Sequence, residues 1–270
     1  MNSVYLQLYG LESSPFNITA DPNFFFESIS HKEALAALFY GIQEKKGIML
    51  ITGEVGTGKT TLCKTLLNRL SAKVRTSLIL SHPSFSEVQL LNAIIDDFGL
   101  KVTKRNRFDI IKELNVFLVD IARKGGNAIL IIDEAQNLNT RQLEQIRLLS
   151  NLETSQEKLL QIVLFGQPEL TEKLNRHNLR QIKQRIFVKQ QLTPLREEEV
   201  QKYVEFRLSK AGINDICIMQ GAYELIWEFS QGIPRLVNML CDRVLLLGFV
   251  NENKTFDSNM VRMCKKELDS

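Results

Sequence analysis

The chain has 270 residues, 44% of them hydrophobic, and 34 Lys and Arg against 31 Asp and Glu give a formal charge of +3. Such a chain can bury a sizeable core unaided, so neither dominant disorder nor a disulfide scaffold fits, and 14 Gly with 6 Pro exclude collagen-like or low-complexity architectures. A strongly basic nucleic-acid binder would sit further from neutrality, which leaves only a local basic patch open.

Residues 1–30 are rich in rings and turn formers, among them Tyr5, Tyr9, Pro15, Phe16, Asp21, Pro22 and Phe24-Phe25-Phe26. This composition predicts an extended segment pinned by aromatic side chains onto a neighbouring domain, without a regular element of its own. The first 17 residues hold no Lys or Arg and no continuous apolar run, so no signal peptide is expected. Helical spacing of Ala34, Leu35, Leu38, Phe39 and Ile42 predicts a helix over 31–43. A short apolar strand over 47–52 and a helix over 59–70 follow.

The alternation then repeats. Strands are expected over 75–80, 127–132, 159–165 and 187–192, and helices over 86–98, 108–124 and 140–152. The almost unbroken aliphatic run of 127–132 is that of a central parallel strand covered on both faces. Strands alternating with helices predict a parallel α/β sheet. After Pro194 only helices are expected, over 195–211, 218–230, 234–250 and 257–268. Charge shifts at the same point: residues 1–192 carry 24 basic and 19 acidic groups, residues 193–270 carry 10 and 12. The expected division is therefore an extended segment 1–30 packing on the core, an α/β core 31–192 and an all-helical domain 193–270.

Cys63, Cys217, Cys241 and Cys264 are far apart, with no CxxC pair and no His at ligand spacing, and are expected to be buried free thiols. No stretch approaches the roughly 18–20 apolar residues that span a bilayer, so a soluble, cytoplasmic protein is expected, without direct membrane insertion.

Gly53-Glu54-Val55-Gly56-Thr57-Gly58-Lys59-Thr60 matches GxxxxGK[ST] in full, after an apolar strand and at the start of a helix. Glycines at 53, 56 and 58 permit backbone conformations that aim several N–H groups at phosphate oxygens, and the helix adds its N-terminal partial charge. Lys59 is expected on the β- and γ-phosphates of ATP, and the Thr60 hydroxyl on Mg²⁺. The second half of such a site is a strand ending in a carboxylate, which 128–134 supplies. Asp133 at the strand tip would hold Mg²⁺, directly or through water, and Glu134 is the natural general base for a water aimed at the γ-phosphate.

An Asp-Glu pair after a phosphate loop, with a helical C-terminal lid, resembles the AAA+ ATPases. Closer still is the resemblance to the GspA/ExeA-like family of bacterial secretion ATPases. It runs through Tyr9-Gly10-Leu11, Pro15-Phe16, Asp21-Pro22, His31-Lys32-Glu33-Ala34-Leu35 and the phosphate loop extended to Thr61. It continues in Asp133-Glu134-Ala135-Gln136, Gly166-Gln167-Pro168-Glu169-Leu170 and Gly232-Ile233-Pro234-Arg235. The resemblance implies a five-stranded P-loop core with an all-α lid. It also implies Gln167 as the sensor-1 polar group, Arg185 as an arginine finger supplied to a neighbouring subunit, with Arg180 as the alternative, and Arg235 as sensor 2 on the lid. The N-terminal segment through His31 is implied to pack near the adenine. Longer members of the family carry a transmembrane segment and a peptidoglycan-binding domain after the ATPase module. The 270 residues hold neither, so this is either a short member or part of a longer chain, and membrane action is not carried over.

The first functional expectation is an ATP-hydrolysing homo-oligomer, in one form a ring, that energises assembly of an envelope secretion or pilus machine. It would be cytoplasmic or peripheral at the inner membrane through envelope-assembly partners. A second is a DNA-associated ATPase of the transposition target-selection type, with basic residues over 173–189 and Lys101, Lys104, Arg105 and Arg107 on phosphates. A third is a nucleotide-gated switch with little hydrolysis, against which an intact Glu134 argues.

Overall fold

A computed structural model describes residues 5–82, 85–102, 105–212 and 216–268. In chain order it begins with α1 (Leu6–Tyr9), α2 (Ile29–Gln43), β1 (Ile48–Gly53), α3 (Lys59–Arg69), β2 (Val74–Leu80), α4 (Glu87–Asp97) and α5 (Arg107–Arg123). Next come β3 (Asn127–Asp133), α6 (Thr140–Leu149), β4 (Gln161–Gly166), α7 (Pro168–Leu174), α8 (Arg180–Lys183) and β5 (Ile186–Leu192). The chain ends in α9 (Glu197–Lys210), β6 (Cys217–Ile218), α10 (Gln220–Ser230), α11 (Pro234–Val250), β7 (Thr255–Phe256) and α12 (Ser258–Leu268).

Ser30–Glu54 and Thr65–Leu192 form one compact unit around a five-stranded sheet of order β2-β3-β4-β1-β5. Every pairing is parallel, with Leu50 opposite Leu164 and Lys189, and Ile131 opposite Leu78 and Val163. All six residues of β1 and of β4 are buried, and β3 is buried from Ala128 to Asp133. Such strands read as continuous aliphatic runs because both faces are covered, and each Ile or Leu so buried contributes about 1.5–3 kcal/mol. Leu90, Ile94, Leu114 and Leu118 from α4 and α5 join Leu130 and Ile132 in one apolar cluster. Capping boxes at Ser86–Gln89 and Asn139–Gln142 fix where α4 and α6 begin. The parallel α/β sheet expected from the alternation is present, and two short helices, α7 and α8, were not anticipated between its last two strands.

The described residues of Met1–Ile29, Val55–Lys64 and Thr193–Ser270 form the second compact unit. Here two expectations are corrected. The N-terminal segment does contain regular structure, because α1 completes one helical turn that Gly10, at φ +66°, closes in the left-handed conformation. A 3-10 turn follows over Pro22–Phe24, with the Asp21 side chain capping the N–H of Asn23. The region after Pro194 is also not wholly helical: β6 and β7 pair in parallel, Cys217 with Thr255 and Ile218 with Phe256. A two-residue ladder leaves no periodicity in a sequence, so nothing announced it.

Within this unit, rings of the N-terminal segment pack onto the elements after Thr193. Tyr9 donates its hydroxyl to the Leu245 carbonyl at 2.9 Å and meets Phe256 edge-on at 5.9 Å. Phe26 packs edge-on against Tyr203 at 5.7 Å. Arg207, which is buried, donates Nη2 to the Asn17 carbonyl at 3.1 Å and Nη1 to the Tyr203 hydroxyl at 3.0 Å, and its Nε to the Pro15 carbonyl. Its guanidinium lies 5.0 Å from the Phe24 ring centroid. One planar cation thus ties residues 15–24 to α9 through its fork of donors and its flat face.

All four cysteines are free; Cys63, Cys241 and Cys264 are buried, but Cys217, on the short ladder, is exposed, contrary to expectation. Among the described residues no helix is long and apolar enough to cross a membrane.

Candidate nucleotide site

β1 delivers the glycine-rich loop. Gly53 is its last residue, paired with Leu192, while Glu54 and Val55 are exposed. Left-handed backbone occurs in the loop at Gly56 (φ +85°) and Gly58 (φ +96°), the values that free a loop to turn its N–H groups inward. Gly53 lies in the strand and is not part of that turn. Thr57 is fully buried, Lys59 is buried as the first residue of α3, Thr60 is exposed and Thr61 half-buried. Lys64, one turn further along, donates to the Ala20 carbonyl of the N-terminal segment at 2.8 Å.

The loop is held from the side by the start of α11. Pro234 occupies the first helical position, and the N–H of Arg235, which has no acceptor within the helix, donates to the Gly56 carbonyl at 3.2 Å. A Cβ on Gly56 would lie 2.7 Å from Arg235 Cβ and 3.0 Å from Ile233 Cγ2, so only glycine allows this approach. Gly232 is equally constrained: at φ +74°, an added Cβ would fall 1.9 Å from the Leu195 carbonyl oxygen. These contacts explain the Gly-Ile-Pro-Arg run physically. The Arg235 side chain itself is exposed beside the loop.

In the other unit, β3 ends at Asp133, which is buried. Its Oδ1 accepts the N–H of Glu134 at 2.9 Å, and its carbonyl accepts the N–H of Ser81 at 3.0 Å. Glu134 stands at φ +54° and ψ +39°, left-handed backbone that a non-glycine residue adopts at a cost of about 1–3 kcal/mol and keeps only where its surroundings enforce it.

Those surroundings are two glutamines. Gln136 donates Nε2 to Glu134 Oε2, while its Oε1 accepts the backbone N–H of Gln167 at 3.1 Å. Gln167, the N-cap of α7, also reaches Glu134 Oε2 with its own Nε2 at 3.5 Å. Lys173 of α7 donates to the carbonyls of Gln136 and Leu138, the latter at 2.9 Å. Burial lowers the Lys173 pKa, with the nearby Arg176 charge adding to the effect. Glu134, Gln136 and Gln167 are therefore one cluster. The sequence attached no role in this cluster to the Gln136 side chain or to Lys173. Gln136 stood out only as part of the Asp-Glu-Ala-Gln run, and Lys173 only as one cation in a basic stretch.

Arg185 precedes β5 and is half-buried, whereas Arg180, which opens α8, is exposed. The Glu144 carboxyl is held below its ordinary range chiefly by Arg147, 2.7 Å away, and in smaller part by Arg185. Glu153 is lowered mainly by Lys158 and also by Arg185. Among the other candidate phosphate contacts, Arg105 is engaged with both oxygens of Asp96 at 2.7 and 2.9 Å, and Arg107 opens α5. Lys101 is exposed, and Lys104 lies outside the described residues.

Comparison with known proteins places this geometry. The AAA domain family matches residues 42–174. The chain is 44% identical over 250 residues to general secretion pathway protein A of Aeromonas hydrophila, covering 91% of this chain and 45% of that protein. It is 25% identical over 248 residues to the pachytene checkpoint protein 2 homolog of Danio rerio, covering 75% of this chain and 56% of that one. The chain thus spans about half the length of these curated relatives. Among solved structures, the Aeropyrum pernix ORC2 protein in ADPNP-ADP complexes superposes with a TM-score of 0.69 at 17% identity, covering 93% of this chain and 72% of that one. A point variant of Thermotoga maritima RuvB gives a TM-score of 0.62 at 19% identity, over 94% and 73% of the two chains. The likeness to these structures is one of fold. Its five-stranded parallel sheet, phosphate loop and helical C-terminal region give the chain the fold of the AAA+ P-loop NTPases, and over 91% of its length it resembles general secretion pathway protein A.

Proposed function

We propose that the chain binds ATP with Mg²⁺ and hydrolyses it, as a homo-oligomer whose sites are completed by a neighbouring subunit. The observation that carries the reading is Glu134, whose carboxylate is gripped by two glutamine amides at the end of β3 in a chain that also carries an intact phosphate loop. A carboxylate held in a costly backbone conformation suits a base that must meet one water in one orientation.

In this reading Gly53 leads β1 into the loop, the N–H groups from Glu54 through Thr61, including those of Val55, Gly56, Thr57 and Gly58, surround the phosphates, and Lys59 neutralises the β- and γ-phosphates. Thr60 and Asp133 offer the hard oxygen donors that Mg²⁺ takes. When bound, the ion would offset phosphate charge and orient the leaving group. Glu134 takes the proton of the attacking water, Gln167 orients that water or the γ-phosphate, and Arg235 reports the γ-phosphate to α11. Arg185 acts on the neighbour's nucleotide, where such a residue is typically worth about 10³–10⁵ in rate. Arg180 is the alternative for that role.

By its resemblance to general secretion pathway protein A, the proposed work is assembly of a bacterial envelope secretion or pilus machine, reached through partner proteins from the cytoplasmic side. A nucleic-acid partner has less support, since Arg105 is spent on Asp96 and Lys173 on backbone carbonyls.

The test is a mixing experiment. Arg185→Ala and Glu134→Gln chains are each expected to be nearly inactive alone and to recover turnover when mixed, because mixed interfaces pair an intact Glu134 with an intact Arg185. Turnover per chain should rise with concentration for the parent. No recovery at high concentration, with both variants folded, would remove Arg185 from this role.

A further inference from the structure

We propose that Gln136 is a positioning residue for hydrolysis: its side-chain amide clamps the Glu134 carboxylate and ties it to the first residue of the turn into α7. The inference rests on the reading of Glu134 as the base. The geometry is chemically directional. The backbone N–H of Gln167 can only donate, so the atom of Gln136 facing it at 3.1 Å must be the amide oxygen. That leaves the amide nitrogen facing Glu134 Oε2, which as a carboxylate oxygen can only accept. Both ends of the amide are satisfied in one orientation, and its reversal would set oxygen against oxygen and N–H against N–H. A glutamine is matched to this place because the clamp needs an acceptor and a donor on one short planar group.

The surroundings leave the clamp little freedom. A Cβ on Gly166 would lie 3.3 Å from Gln136 Oε1 and 2.6 Å from Leu170 Cδ2, so the end of β4 is pared to glycine beside the amide. Lys173 fixes the backbone of the same turn through the carbonyls of Gln136 and Leu138. With Glu134 at φ +54°, its carboxylate direction depends on this anchor rather than on a relaxed backbone. Gln167 N–H and Glu134 thus share one side chain, so the position of α7's N-terminus and the aim of the base are linked through Gln136.

The experiment measures kcat, KM for ATP and the pH profile for Gln136→Ala, Gln136→Leu and Gln136→Glu in the full 270-residue chain. A misaimed base is expected to lower kcat by about tenfold to a hundredfold, with KM moved by less than about threefold. The leucine variant keeps the volume beside Gly166, so a loss there with an unchanged melting temperature reports the lost hydrogen bonds. The Gln136→Glu variant should be the most informative. As a carboxylate it repels Glu134, but once protonated it can donate to Glu134 and accept from Gln167 as the amide does. Its kcat relative to the parent should therefore rise as pH falls, a change that neither apolar variant shows. Parent-like kcat in the alanine and leucine variants, or a Gln136→Glu profile parallel to the parent's, would overturn the proposal. Parent-like turnover in Glu134→Gln would instead overturn the assignment of the base on which it rests.

Discussion

The backbone N–H of Arg235 donates to the carbonyl oxygen of Gly56 at 3.2 Å, joining the first turn of α11 to the phosphate loop within one compact unit. The loop's shape and the helix's position are therefore set by the same contact. Gly56→Ala adds a Cβ 2.7 Å from Arg235 Cβ at a residue with φ +85°, where alanine is strained whatever the space. Strain of about 1–3 kcal/mol placed on the binding conformation is expected to weaken ATP binding by about 5- to 150-fold. Isothermal titration with a non-hydrolysable ATP analogue checks this, and parent-like affinity would show that the loop yields without cost.

Arg207 gives a stability prediction. Its removal leaves the carbonyls of Pro15 and Asn17 and the Tyr203 hydroxyl without their donor and uncovers the Phe24 face. Arg207→Ala should cost about 3 kcal/mol, and Arg207→Lys should fall between it and the parent, because one ammonium cannot copy a three-way fork. Urea unfolding of the three chains reads the order directly.

Thiol chemistry separates the cysteines. Cys217 alone is exposed, so a native-state thiol reagent should modify it quickly and reach Cys63, Cys241 and Cys264 only on unfolding. Mass spectrometry of the labelled protein, before and after denaturant, is the check.

Alkaline pH should act on the unit that holds Cys264, Cys241 and Tyr9. Burial pushes the Cys264 thiol up to about 11 and raises Cys241 further. Burial, helped by Tyr5, raises the Tyr9 phenol to about 12. In the unfolded chain these groups lose their protons first, from about pH 9 for the thiols and about pH 10 for the phenol. The unfolded state then binds fewer protons than the native one, so stability falls as pH rises. Their contribution is intact below about pH 9 and is lost progressively up to about pH 11–12. Denaturant unfolding at pH 8 and pH 10.5 tests the sign.

The sheet was legible because β1, β3 and β4 are buried on both faces, and unbroken aliphatic runs record that directly. The phosphate loop and the Asp133-Glu134 pair were legible because glycine spacing and a strand-end carboxylate carry their own geometry. What escaped depends on contacts rather than on periodicity. One helical turn over Leu6–Tyr9 is fixed by Gly10 and by rings packed on the lid, and the Cys217–Thr255 ladder by two residues on each side. The pairing of Gln136 with the Gln167 N–H joins positions 31 residues apart and exists only once β3 and β4 lie side by side.

If Glu134 is the base of an ATP-hydrolysing site, its replacement must stop turnover without loss of ATP binding. The most direct measurement is steady-state ATP turnover with parallel ATP binding for the parent and Glu134→Gln, at a concentration where parent activity per chain no longer rises. Glu134→Gln is expected to bind ATP as the parent does and to turn it over at least about a hundredfold more slowly. Equal turnover in the two chains, or no hydrolysis by the parent at any concentration, would contradict this role for Glu134.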